Sequence, residues 1–257
     1  MYELLKPVTR ELLSEVAAQT GVGIRVAPRH TGYLSQTGLS SYLANPEAGE
    51  VTIAYDPTGR SIDYAVAHEA LRLKRFFAAP KDERSVLIST GATKAMALSE
   101  MLAQYAGPQA LYACSLFYDG MLTQLASAPV DPWINTELHD DFPGLRDDLA
   151  QGVEEIMEKL RGALREEIAE VTPSVIYLAS NAINAHFAAF VGELLGKAEF
   201  ESAYDGRPAV DLGRELVKLN ASDRGHVGDR WTTDEWSKIL GLVGWYEWRR
   251  VWGQVVP

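Results

Sequence analysis

Cysteine occurs once in this chain of 257 residues, as Cys114, which excludes an internal disulfide framework and leaves the fold to depend on its core. Cys114 lies in the apolar run ALYACSLF, with no His or basic residue beside it to lower its pKa. It reads as a buried, inert thiol in a reducing compartment. Cations are also scarce: 24 Lys and Arg stand against 35 Asp and Glu, for a net charge of -11. That balance argues against sequence-independent attraction to nucleic acid or to an anionic membrane, both of which need clustered basic residues. No stretch approaches the roughly 20 apolar residues of a membrane span, and MYELLKPVTRELLSEV lacks the apolar core and cleavage site of a signal peptide. The expected location is the cytoplasm, with protein or small-molecule partners. There is no Ser/Gly-rich linker, no solenoid period and no Gly-x-Ser-x-Gly elbow, and STGATKA lacks the glycine-to-lysine spacing of a phosphate loop.

What is present is enough apolar material, 47% of residues, for a substantial core. Leu12, Leu13 and Val16 predict a first helix over 9–19, ended by Gly21. The pattern then changes. GIRVAP reads as a strand, and SSYLANPEAGEVTIAY as a hairpin around the turn-rich NPEAG. Asp56-Pro57-Thr58-Gly59 closes that hairpin, and Ser61 caps the next helix. Beyond residue 81 only SVLIS reads as extended, and helices are predicted at about 91–106, 109–126, 132–141, 145–170, 173–195, 209–219 and 233–252. The fold class is therefore α+β: one compact domain over 1–257, with a small sheet-bearing N-terminal lobe (1–80) and a predominantly helical part (81–257).

Within the capped helix, Ile62, Val66, Leu73 and Phe76 share one side, and His68, Arg72 and Arg75 follow another. Its centre reads His68-Glu69-Ala70-Leu71-Arg72. The ordinary reading is a polar-face histidine beside a solvated Glu69–Arg72 pair, contributing about 0.2–0.5 kcal/mol. The alternative starts from metallopeptidase chemistry. Two histidines one turn apart converge on a zinc ion, and a glutamate beside the first activates the metal-bound water. Here the second seat holds a guanidinium. At about 5 Å it would repel a divalent cation by roughly 6–7 kcal/mol at an effective dielectric near 20.

Taken in order, EVTIAYDP, YAVAHEALRLKRF and LASNAINAHFAAFVGELLG resemble the bacterial zincin-like metallopeptidases, including the repressor-cleaving zinc endopeptidases of the stress response. The similarity covers residues 40–80 and extends to 125–196. It implies a zincin-like motif helix after an edge strand, His68 in the place of the first metal ligand and Glu69 in that of the general base. Arg72 departs from the second ligand. His186 is the candidate replacement ligand and Glu100 the next; their ordinary readings are a packed core histidine and a surface carboxylate. His139, Asp140 and Asp141 are adjacent on a helix, diverge by about 100° each, and read as a solvated helix end.

The C-terminal segment WTTDEWSKILGLVGWYEWRRVWGQVVP reads as a helix capped by Thr233, with Trp236, Ile239, Leu240 and Val243 on one side and Trp245, Trp248 and Trp252 on a second. A helix apolar on two sides is either deeply buried or shared with a partner. Arg72 and this tryptophan face are the expected interaction residues. The functional expectation is a non-catalytic, metallopeptidase-derived protein without a cofactor that binds another protein or itself. Two alternatives stay open: a divergent zinc-dependent hydrolase, with His68 and His186 on the metal and Glu69 as base, and an unrelated helical interaction domain.

Overall fold

The computed structural model describes residues 4–29, 43, 49–105, 107–222 and 229–251. It is 69% helical with a small parallel sheet near the N-terminus, which makes the fold α+β with a mainly helical C-terminal part. The chain forms two compact units, Met1–Arg84 with Trp133–Ile156 and Val251–Pro257, and Ser85–Pro132 with Met157–Arg250. The N-terminal unit thus takes in residues 133–156, which the sequence reading assigns to the helical part.

In the first unit, helix α1 (Pro7–Thr20) starts with proline at a position whose N–H would have no helical partner. It ends at Gly21, whose φ of 70° lets its N–H close on the Ala17 carbonyl. Leu12, Leu13 and Val16 are buried as their spacing predicts. Strands β1 (Gly23–Pro28) and β2 (Glu50–Tyr55) pair in parallel, Gly23 opposite Glu50 through Pro28 opposite Tyr55. Val51, Ile53 and Tyr55 are buried and alternate with half-buried neighbours, the period-two signature of a strand covered on one face. Among the described residues the partner of β2 is therefore β1; the first arm of the expected hairpin lies outside them, apart from Leu43.

Asp56 organises the turn after β2. Its carboxylate accepts from the Thr58 amide at 2.9 Å, and its carbonyl accepts from Gly59 at 3.1 Å. Ser61 then caps helix α2 (Ile62–Ala78) by accepting the Tyr64 N–H at 3.1 Å. The buried stripe of α2 is wider than the spacing suggests: Asp63, Tyr64, Val66, Ala67, Ala70, Leu71 and Leu73 are all buried, while Ile62 and Phe76 are half-buried.

Helices α5 (Asp131–Asp141) and α6 (Arg146–Gly162) hold the residues that fix α2 within this unit. The Tyr64 hydroxyl donates to Asn135 Oδ1 at 3.0 Å, and Asn135 is fully buried. Asp63 Oδ1 accepts from the Lys6 amide at 2.9 Å and from the Thr9 hydroxyl, so a carboxylate of α2 caps the start of α1. Asp148 accepts from Ser61 and from the Lys6 ammonium. Its hydrogen bond to Lys6 raises the Lys6 pKa above the usual lysine value.

In the second unit, β3 (Ser85–Ile88) leads through a Thr90–Thr93 capping box into helix α3 (Gly91–Leu102), followed by α4 (Ala110–Ser127). The expected helix over 145–170 is broken. Helix α6 stops at Gly162, the next turn tightens through Leu164 N–H to the Arg161 carbonyl, and a short α7 (Glu166–Val171) follows. Leu164, at this break, is buried. Next come α8 (Ser174–Leu195), the single turn α9 (Glu199–Ser202) and α10 (Pro208–Ser222). Helix α8 is long and apolar enough to cross a membrane by length and composition, but most of it is buried within the protein. It is a core helix. At Gly213 a Cβ would lie 2.9 Å from the Ala185 Cβ and 3.0 Å from the Ala182 carbonyl, so glycine is what allows α10 so close to α8.

The C-terminal helix expected over 233–252 requires correction. Helix α11 runs over Asp229–Ile239, and β4 (Glu247–Arg250) pairs antiparallel with β3. Gly241 and Gly244 take φ of 72° and 84°, conformations that turn the chain between the two elements. Thr233 is buried in the second turn of α11, where its hydroxyl donates to the Asp229 carbonyl, and it is not the cap. Trp245 is not on an outer helix face either. It is fully buried, with its indole N–H donating to Glu100 at 3.2 Å and its carbonyl accepting from the Tyr118 hydroxyl at 2.8 Å. Trp248 is half-buried, donates to Asp234 at 2.8 Å and lies under Arg230. Trp252 falls outside the described residues.

Gly152 and Gly120 provide a paired test of this packing. A Cβ on Gly152 would lie 2.1 Å from Cδ1 of Tyr64, whereas one on Gly120 would meet nothing within 4 Å. Gly152→Ala should destabilise the protein by about 1–3 kcal/mol through overpacking. Gly120→Ala should stabilise it by about 0.5–1 kcal/mol. Chemical denaturation midpoints of the two variants check both signs.

Candidate functional site

Helix α2 places His68, Glu69 and Arg72 on its half-buried side. The offset of four residues sets His68 above Tyr64, and the rings meet edge to face with centroids 5.5 Å apart. One turn further, Arg72 Nε lies 3.4 Å from Glu69 Oε2, and the two side chains are only 17% and 21% exposed. That shielding strengthens the Coulomb attraction of the pair, against the cost of taking both groups partly out of water. The next residues tie this helix to its neighbours in the same unit. Lys74 bonds Glu137 at 2.9 Å and lies 3.8 Å from Glu15, and Arg75 stacks 5.7 Å from the Trp133 ring.

The residues present do not fit a zinc ion of the kind the resemblance implies. Arg72 occupies the seat one turn from His68 and turns its positive charge toward Glu69, the would-be base. Among the described residues no group of three or more His, Cys, Asp or Glu side chains is arranged to hold a metal. His68 belongs to the first unit and His186 to the second. His186 is 2% exposed and packs edge-on against Trp236, with centroids 4.6 Å apart. Burial pushes its pKa down to about 3, so the imidazole is neutral at physiological pH. Glu100 accepts the Trp245 indole N–H, and His139 bonds the adjacent, exposed Asp140 at 2.8 Å.

Several important polar residues had no distinctive signal in the sequence. Asp63 looks like an ordinary first-turn carboxylate, yet it caps a different helix; Asn135 looks like a surface amide, yet it is buried and accepts from Tyr64. In the second unit Asn220 is a similar case, accepting from Trp236 Nε1 at 2.9 Å and donating to the Pro129 carbonyl at 3.1 Å. The second unit also has a cleft of about 570 Å³, lined by Gly192, Glu193, Glu201, Arg214, Val217 and Lys218 among others. Arg214 is already engaged there, 3.3 Å from Glu201 and 4.0 Å from Asp205.

No family model, no curated protein and no solved structure matches this chain.

The buried His186 gives a pH signature. Its folded pKa of about 3 lies below the ordinary 6.5, so as pH falls below 6.5 the unfolded chain takes up a proton that the native imidazole refuses. Stability contributed at neutral pH is therefore lost progressively between pH 6.5 and about 3. Replacing His186 by Phe should flatten the dependence of unfolding free energy on pH by about one proton across the upper part of that window. Urea titrations of both proteins at a series of pH values measure the difference in slope.

Proposed function

We propose that this chain is a non-catalytic, zincin-like protein that acts by binding another protein in the bacterial cytoplasm. The observation that carries the reading is the half-buried ion pair between Glu69 and Arg72. A general base in a metallopeptidase must take a proton from a metal-bound water, and it does so beside a cation bound by imidazoles. In this helix the charge beside Glu69 is a guanidinium, which supplies neither coordination nor a polarised water. The carboxylate balances Arg72, and the helix keeps the outline of a hydrolytic site while its residues serve packing and recognition. The packing of His186 against Trp236 supports this reading.

The purified protein should contain well under one zinc per chain by elemental analysis. It should show no peptide hydrolysis that a chelator abolishes, and Glu69→Gln should leave both results unchanged. One zinc per chain, with hydrolysis lost in Glu69→Gln, would establish the divergent hydrolase in its place.

A further inference from the structure

In the second unit, Tyr204 is fully buried, and its hydroxyl has no hydrogen-bond partner among the described residues. Leaving a buried hydroxyl in that state is costly, and the cost falls when a bound group supplies the missing bond. Two arginines are held beside it. After α6 the Leu164 N–H closes on the Arg161 carbonyl at 3.2 Å, Arg207 Nη1 donates to the Leu164 carbonyl at 3.2 Å, and the Arg207 N–H returns to the Tyr204 carbonyl at 3.2 Å. This chain of bonds joins segments 43 residues apart. Burial pushes the Tyr204 pKa up to about 12, against the pull of the Arg161 and Arg207 charges, whose field reaches the hydroxyl. The phenol therefore keeps its proton at physiological pH and is a hydrogen-bond donor.

Neither guanidinium is balanced by a carboxylate, although Asp and Glu outnumber Lys and Arg by 35 to 24 in this chain. Arg207 gives one N–H to the Leu164 carbonyl and keeps the rest of its fork; Arg161 makes no side-chain hydrogen bond or ion pair among the described residues. The carboxylates close to Tyr204 in sequence, Glu201 and Asp205, turn to Arg214 instead, at 3.3 and 4.0 Å. Arg161 is exposed and Arg207 half-buried, so both charges are within reach of a solute. The chemistry of the three groups selects its class. A water molecule would satisfy the hydroxyl but leave both charges unbalanced. A carboxylate brings one charge and two oxygens in a plane, which suits a single guanidinium fork. A phosphate group brings up to two charges, with oxygens in tetrahedral directions, and so serves two forks and a hydroxyl arriving from separate segments.

We infer that Arg161, Arg207 and the Tyr204 hydroxyl form a binding site for a phosphate group, carried by the free ion or by a small phosphate monoester. All three residues belong to the second unit. The site is separate from the state of the His68 helix, and its test reads phosphate rather than metal or hydrolysis.

Calorimetric titration of the full chain with inorganic phosphate, and separately with glycerol phosphate, at constant ionic strength tests the inference. One equivalent of at least one of them should bind, and acetate should bind at least about tenfold more weakly. Binding of both assigns the site to the phosphate group itself, and binding of one identifies the free ion or the ester as its source. Tyr204→Phe keeps both charges and removes only the hydroxyl. It should weaken phosphate binding about tenfold or more while leaving the thermal midpoint of the free protein unchanged or higher, because it deletes an unsatisfied buried group. Arg161→Gln, at an exposed position, should cause a similar loss and keeps the test decisive if Tyr204→Phe folds poorly. The inference is overturned if neither phosphate compound binds at millimolar concentration or if acetate binds as well. Binding that survives both substitutions marks an adventitious ion only and equally overturns it.

Discussion

One carboxylate oxygen holds the start of the first unit together. Asp63 Oδ1 takes the amide of Lys6 and the hydroxyl of Thr9, and so supplies α1 with the cap that its own sequence lacks. Because Asp63 lies in the first turn of α2, the same bonds fix the start of α2 against α1. Asp148 extends the arrangement by taking Ser61, the cap residue of α2, together with the Lys6 ammonium. A buried carboxylate is costly unless its lone pairs are satisfied, and here the satisfying groups are helix ends that need acceptors and a lysine that needs a counter-charge. The positions of His68, Glu69 and Arg72 follow from that anchoring, since they lie one to two and a half turns along the helix it fixes.

The tryptophans illustrate a second constraint. Six occur in the chain, and three cluster after residue 244, where a helical count puts them on one side. Gly241 and Gly244 intervene with positive φ, and the count loses its meaning once the chain leaves helical geometry. Trp245 then fills the core and Trp248 is placed on a strand. An indole needs a partner for its N–H when buried, and Glu100, Asn220 and Asp234 provide one for Trp245, Trp236 and Trp248 in turn. Exposed apolar side chains appear elsewhere, at Leu111, Tyr112 and Leu116 on α4.

At α2, the spacing in the sequence and the structure agree on one contact, the Glu69–Arg72 pair. A cation stands one turn from His68, and the carboxylate beside that histidine turns to it. The pairing is local, at an offset of three residues, which is why the sequence already contains it. His186 differs because it depends on distant packing. Its neighbours in sequence mark an apolar helix, whereas its contact with Trp236 comes from a helix fifty residues later, and its depressed pKa from burial in the folded unit.

The sequence alone determined the elements whose causes are local: the span of α1 and its glycine stop, the Ser61 cap, the β2 alternation, the helical character beyond residue 90 and the Glu69–Arg72 pair. Each rests on interactions within a few residues, so the order of side chains is enough to specify it. Tertiary structure decided what depends on neighbours far along the chain. It pairs β1 with β2 in parallel and β3 with β4 across the length of the second unit, and it places residues 133–156 with the first. It also ends the last helix early so that a strand can form. In these cases groups far apart in the sequence meet, as Tyr64 does Asn135 and Trp245 does Glu100, and no pattern within a few residues specifies such contacts.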